Sequence, residues 1–301
     1  MDPLGVGHTL ASPLVCSSFQ RIKRRSSALL PVLLWALALL LGSETVSFCA
    51  SPYAAWEATL TAPAIHPFPK IEPFEATYQF GWEGLRAGSA AVRLNKGEHG
   101  SRTITATGGP NRLIRKLWEY QANYFGEAGP NGEVPSWFHM DEKISKGDLL
   151  SVARFDQDSV FACHRLLSES KHWEQAALPG VRDLFAAMLF VRSQPLMDGD
   201  RLRLSVFPDQ GPYLVDLKVM GRDMVTIMGS QVKAIRFSVS IQSIQTHGHK
   251  MGSLEPHKKF RSGRVWMSDD ERRIPLRAEV DVFIGAVFGE ITKLTPPFAR
   301  Q

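Results

Sequence analysis

Cysteine is scarce in this chain, with three among 301 residues. Cys16 and Cys49 fall within the first fifty, which leaves Cys163 alone in the body. A framework of disulfides is therefore excluded, and a hydrophobic core must hold the fold. Catalytic signatures are missing too: there is no Gly-x-Ser-x-Gly elbow, no His-Glu-x-x-His and no pair of carboxylates framed by a cleft pattern. Strong charge of one sign is also absent. The first fifty residues carry +2 of the net +5, so the remainder keeps a mild +3, which is not a nucleic-acid footprint. These absences lead us to expect a protein that is not an enzyme, needs no cofactor and has no nucleic-acid partner.

What is present begins with an export pattern. A basic cluster at Arg21, Lys23, Arg24 and Arg25 precedes an uncharged run of 18 residues from Ser26 to Ser43, with an apolar core of 15 from Ala28 to Gly42 that contains Pro31. That order is a secretory signal, and the length fits a signal's apolar region better than a bilayer span. A retained membrane anchor is the second outcome. Lipidation at Cys49 is the third, although Phe48 puts a bulky ring where signal processing favours small residues. Each outcome expects an exported protein in the periplasm or cell envelope of a diderm bacterium, with any membrane association made through the N-terminus.

Residues 51–73 hold five prolines, Pro52, Pro63, Pro67, Pro69 and Pro73, and read as an extended linker. Residues 74–301 have no second proline-rich break and no visible repeat, and are expected to form a single β-rich domain. The recurring period there is two. Leu202, Leu204 and Val206 alternate with Arg201, Arg203 and Ser205; Tyr213, Val215, Leu217 and Val219 follow a turn at Pro208–Gly211; Ile235, Phe237, Val239 and Ile241 repeat the pattern. Near the end, Ile274, Leu276, Ala278, Val280, Val282 and Ile284 share one side, opposite Arg277, Glu279 and Asp281. One-sided strands suit an antiparallel sheet with one wet face.

Two segments read as helical. Asn111 to Trp118 follows Pro110, and Arg182 to Val191 is apolar nearly all round with Asp183 early. A helix of the second kind must be buried on most sides. The fold class expected is mainly β, a curved antiparallel sheet or half-open barrel covering one or two short helices.

Few residues suggest chemistry. Gly84 to Ala91 is rich in small residues, but strand follows it, so it reads as a tight turn and a strand open to close approach rather than a phosphate loop. His247, His249 and His257, with Glu255, form a weak candidate metal cluster in a polar loop, and the first two are the candidates for an exported hydrolase. Cys163 and His164 are adjacent, and strand neighbours point to opposite faces, which prevents cooperation. Lys258, Lys259, Arg261, Arg264, Arg272, Arg273 and Arg277 are concentrated in one part of the sequence, which reads as a solvated face or, alternatively, as a surface attracted to an anionic envelope.

Three stretches, YQFGWEGLRAGSAAVRL from Tyr78, DLFAAMLFVRSQPLMDGD from Asp183 and VWMSDDERRIPLRAEVDVFIGAVFGEITKL from Val265, together resemble a bacterial family of exported proteins known only as a domain of unknown function. The landmarks are Gly84 and Gly88, Asp183 and Arg192, Gly199 and Asp200, and a closing hairpin with Trp266, Ser268, Asp270, Arg272 and Pro275. That hairpin is also distantly similar to periplasmic lipoprotein carriers, which implies a curved sheet around helices. The chain departs from the carriers in its length and its small-residue strand at Gly88–Ala91. The function expected is a non-catalytic envelope protein holding a lipid, acyl chain or lipoprotein in a groove between sheet and helix, lined by Leu184, Phe185, Met188, Leu189 and Trp266, unless these side chains simply fill the core. The alternative is a scaffold or adaptor for another envelope protein or the surface-polysaccharide machinery.

Overall fold

The computed structural model describes residues 51–64, 71–116, 120–130, 132, 135–144, 147–156, 159–166, 170–208, 211–282 and 285–298. The expected signal at residues 1–50, Cys49, Trp118, Asp209, Gln210 and Ile284 lie outside the described residues.

Period-two sequence becomes one antiparallel sheet of fifteen strands. After a short helix α1 (Ala54–Glu57) come β1 (Phe74–Trp82), β2 (Leu85–Lys96), β3 (Arg102–Pro110), β4 (Tyr120–Ala128), β5 (Pro135–Ile144), β6 (Gly147–Asp156), β7 (Ser159–Leu166) and β8 (Ser170–Ala177). Helix α2 (Leu184–Ser193) leads to β9 (Arg201–Val206), β10 (Tyr213–Ile227), β11 (Ser230–Ile244), β12 (Leu254–Pro256), β13 (Phe260–Ser268), β14 (Pro275–Val282) and β15 (Gly285–Thr295). Each half is a meander of neighbouring strands, and β1 joins them by pairing with β15 from Glu75↔Thr295 to Trp82↔Val287. Two-residue turns at Glu83-Gly84 and Met228-Gly229, all at positive φ, make the β1–β2 and β10–β11 hairpins.

Among the described residues β8 and β9 end the sheet and do not pair with each other, so the barrel stays open. Its interior is closed instead by side chains. Phe138 and Met140 of β5, Ala153 and Phe155 of β6 and Val160 of β7 share one buried cluster with Phe207, Leu214 and Ile244 from the other half. The outer edge of β9 is also covered: the Thr61 N–H donates to the Arg203 carbonyl (3.0 Å) and the Arg182 N–H to that of Ser205 (3.0 Å).

Residues 53–61 are the largest departure from the sequence reading, which made them part of a linker. Tyr53 and Trp56 are buried in the cluster that joins the two halves, and the Trp56 indole N–H donates to the Gly252 carbonyl at 3.0 Å. Prolines limit how a backbone bends but do not stop two aromatic rings from being drawn into an apolar gap. The core is thus completed by residues that precede the sheet. The segment expected to be helical at Asn111–Trp118 forms one 3₁₀ turn, Ile114–Lys116, within its described part.

Helix α2 crosses the concave face between the halves and is fastened at both ends. Asp183 caps its start: Oδ1 accepts the N–H groups of Phe185 (2.7 Å) and Ala186 (3.0 Å). Arg182 is buried beside it, stacks on the Phe190 ring and donates from Nε to the Gly132 carbonyl (2.9 Å). Gly132 has φ of +70°, and a Cβ there would meet the Ala186 carbonyl at 2.2 Å, so only glycine lets the β4–β5 turn approach the helix.

At the other end, α2 and the β13–β14 turn exchange arginines. The Arg192 Nη2 donates to the Arg272 carbonyl (2.6 Å), and the buried Arg273 guanidinium donates to the carbonyls of Arg192 (3.0 Å), Gln194 and Pro195 (2.8 Å). Asp270 Oδ1 fixes that turn by accepting from the Ser268 hydroxyl (2.6 Å) and the N–H groups of Arg272 (3.1 Å) and Arg273 (3.0 Å). The landmarks Asp183, Arg192, Ser268, Asp270 and Arg272 therefore hold the helix against the sheet.

Burial pushes the Asp183 carboxyl up to about 6 from 3.8, against the pull of its N–H donors, and Oδ2 has no hydrogen-bond partner among the described residues. Between about pH 4 and 6 the folded protein then holds more protons than the unfolded chain, so this group's contribution to stability falls as pH rises through that window. Relative to Asp183→Asn, which keeps the capping oxygen without the ionisation, the parent should lose on the order of 3 kcal/mol across it. Urea melts of both proteins at several pH values measure this, and a difference independent of pH would refute it.

Candidate functional site: a hollow on the concave face

Across an antiparallel sheet, residues in register stand side by side, and their side chains decide the depth of each face. On the face that carries α2, one such row runs Tyr78, Ala90, Gly108, Ala122 and Glu142 across β1 to β5. Its three central members have almost no side chain. A hollow of about 400 Å³ opens there, lined by Phe80, Ala90, Ala106, Thr107, Gly108, Tyr120, Ala122 and Tyr124. Its volume falls within the range of small-molecule sites, roughly 300 to 1,000 Å³.

The aromatic wall is fixed by hydrogen bonds. Glu142 Oε1 accepts from the hydroxyls of Tyr120 (2.7 Å) and Tyr124 (2.8 Å), which lie 3.2 Å apart. Burial, and then the bonds with Tyr120 and Glu142, hold the Tyr124 phenol well above its ordinary range, so it stays a neutral donor. Its ring packs against Phe138 and meets Phe185 edge-on with centroids 6.4 Å apart. The site is apolar over most of its surface, with two phenols at one side, and offers shape and orientation rather than a nucleophile or metal ligands.

Phe185, at the start of α2, thus backs the wall of the hollow. Phe185, Met188 and Leu189 pack with Trp266 in one core cluster, while Leu184 is 54% exposed. Four of the five expected lining residues therefore converge, but on a filled region. The contact of Phe185, Ala186 and Leu189 with Ile104, Gly126 and Ala128 has no room for a water molecule. The open space lies further along the same face, where the sheet offers alanine and glycine instead of isoleucine.

Small residues at alternate positions, Gly88 and Ala90 on β2 and Ala106 and Gly108 on β3, were the available signal. Only the strand register shows that the gaps coincide. At Gly88 the close approach expected from sequence does occur, since a Cβ there would lie 2.4 Å from the Phe80 ring. At Ala90 the space stays open.

The other candidates are dispersed. His247 Nδ1 lies 2.7 Å from the Thr246 hydroxyl, and His257 Nδ1 accepts from the N–H groups of Lys259 (3.2 Å) and Phe260 (2.8 Å). Glu255 pairs with Lys250 at 2.9 Å. Among the described residues no group of three His, Cys, Asp or Glu side chains is arranged to hold a metal ion. Cys163 and His164 are consecutive on β7, opposite Trp173 and His172 of β8. The basic run does not form one charged face. Arg273 is buried, Arg272 donates to the carbonyls of Pro296 (2.7 Å) and Pro297 (3.0 Å), and Arg264 and Arg277 both pair with Glu279.

An open antiparallel half-barrel, clasping one buried helix and hollowed on its concave face, defines the class of this protein. The chain belongs to the family described as Protein of unknown function (DUF3108), whose profile matches residues 74–292. Among solved structures it is similar to a β-barrel-like protein of domain of unknown function DUF1849 from Brucella abortus, at 12% identity and a TM-score of 0.50 over 75% of this chain and 98% of that one. It also matches the hypothetical lipoprotein YmcC of Escherichia coli at 10% identity and a TM-score of 0.29, over 81% of this chain and 97% of that one. The first likeness speaks for the fold alone. No curated protein matches the chain.

Proposed function

We propose that this is a non-catalytic protein of the bacterial envelope that takes an acyl chain or similar lipid tail into the concave hollow. The observation that carries this reading is the row Ala90, Gly108 and Ala122, which leaves apolar space that larger side chains at the same positions would fill. An acyl chain gains about 0.8 kcal/mol for each methylene removed from water, so a hollow of this size supports useful affinity without any charged contact. The tyrosine pair on Glu142 would orient a polar head at one side. The export pattern in the first fifty residues supports an envelope location.

The test is extraction of lipid from protein purified out of bacterial envelopes, read by mass spectrometry, for the parent, for Ala90→Leu and for Ala90→Leu with Ala122→Phe. The parent should carry lipid. Displacing even two methylenes should lower occupancy on the order of tenfold in the filled variants, with their melting midpoints retained. A parent that carries no lipid, or filled variants that carry as much as the parent, would overturn the reading.

A further inference from the structure

One end of the sheet presents apolar side chains to solvent. Trp82 and Leu85, register partners across the β1–β2 turn, are 47% and 59% exposed, and Val287 of β15, beside Trp82, is 39% exposed. Next to them runs the turn after β3. The Asn111 N–H donates to the Ala87 carbonyl (2.8 Å) and its side-chain Nδ2 to that of Arg86 (2.6 Å), while Oδ1 accepts from Leu113 (3.1 Å) and Ile114 (3.0 Å). This clamp holds Leu113 outward at 77% exposure, the highest value among the large apolar side chains described. Single exposed leucines are ordinary on a protein surface, but a tryptophan and two leucines on two fastened turns, with a valine on the neighbouring strand, are not.

The polar residues among them are mostly cationic. Arg86, Arg112 and Arg115 are all exposed, and Asn111 to Lys116 contains no acid. The acid on the β1–β2 turn, Glu83, is engaged by the Ala286 N–H (2.5 Å). We propose that these two turns form a docking rim that seats the domain on an anionic bilayer surface, with Trp82, Leu85 and Leu113 entering the headgroup layer and the three arginines meeting lipid phosphates.

Charge decides the occupant. A second copy would bring the same arginines face to face, whereas an anionic leaflet complements them. Tryptophan with flanking arginine is also the composition that partitions to the bilayer interface. The hollow is close to the rim, since Phe80 precedes Trp82 by two residues and Gly108 precedes Pro110 by two. The rim stands on its own observations and does not require the hollow to hold lipid.

The test uses the protein purified out of bacterial envelopes, in co-sedimentation with vesicles of phosphatidylcholine alone or mixed with phosphatidylglycerol. The protein should sediment with the anionic vesicles, and less so as salt is raised. Trp82→Ser, Leu85→Ser and Leu113→Ser together should lower partitioning tenfold or more, as Leu113→Ser alone should in part. Arg86→Gln, Arg112→Gln and Arg115→Gln together should lower it on the order of a hundredfold and remove the salt dependence. The hollow-filled variant should sediment as the parent does, so the lipid-tail reading and the rim can fail separately. The proposal is overturned by a parent that stays in the supernatant at low salt, by serine variants that bind like the parent, or by a dimer in the ultracentrifuge that the serine substitutions dissolve.

Discussion

Replacing Arg273 with methionine is expected to cost about 3 to 5 kcal/mol of stability, read as a shifted urea midpoint with an unchanged slope. The side chain is 3% exposed and donates to three carbonyls at the end of α2, those of Arg192, Gln194 and Pro195. A helix leaves its last carbonyls without intrahelical partners, and its C-terminus carries partial negative charge, so a buried guanidinium there meets both needs at once. Burial holds the Arg273 guanidinium down at about 10, still far enough above neutrality for it to remain charged. Methionine fills the volume but donates nothing, which leaves the carbonyls buried and unpaired. Asp270→Ala, which loosens the turn from outside, should cost less, about 1 to 2 kcal/mol. A methionine variant within 1 kcal/mol of the parent would show that α2 is held by apolar packing alone.

Trp56→Ala should have an effect of the same size, about 3 to 5 kcal/mol by the same measurement. The indole is 2% exposed, packs on Tyr53 with centroids 5.4 Å apart, and stands where β5 to β7 meet residues of β10 and β11. Truncation there removes a large ring from the contact that closes the open barrel, and leaves the Gly252 carbonyl without its indole donor. If residues 51–73 were only a tether, the same substitution would change stability by less than about 0.5 kcal/mol. The two outcomes are far enough apart for a single denaturation curve to separate them.

The strands were legible because alternation is a local signal. Leu202, Leu204 and Val206 of β9 are buried as their spacing requires, and Ile274 and Leu276 are fully buried at the start of β14. The buried helix was legible for a similar reason: a run such as LFAAMLFV has no wet face to present, and Asp183 before it has the side chain a cap needs. The fate of Tyr53 and Trp56 was not legible. Proline spacing describes the backbone around them, whereas their burial depends on a gap between β6 and β11, strands far away in the chain. The start of the 3₁₀ turn at Ile114 was also hidden, because it is fixed by the Asn111 side chain tied to β2 and not by the composition of the turn.

The candidate site divides in the same way. The five residues expected around a ligand share a helix face or a hairpin, so the sequence could bring four of them to one core. It could not say that this core is filled. The hollow depends on Ala90, Gly108 and Ala122 lying in one row, which follows from two hairpin registers that no single strand encodes.

By itself, then, the order of side chains determined a one-sided antiparallel sheet, a helix that must be hidden and a core without disulfides, because each follows from neighbours within a few residues. Tertiary structure alone decided which aromatic rings close the open barrel, which carbonyls the buried arginines reach, and where missing side chains line up into usable space. Those outcomes depend on contacts between residues up to two hundred positions apart, and a local pattern does not carry that information.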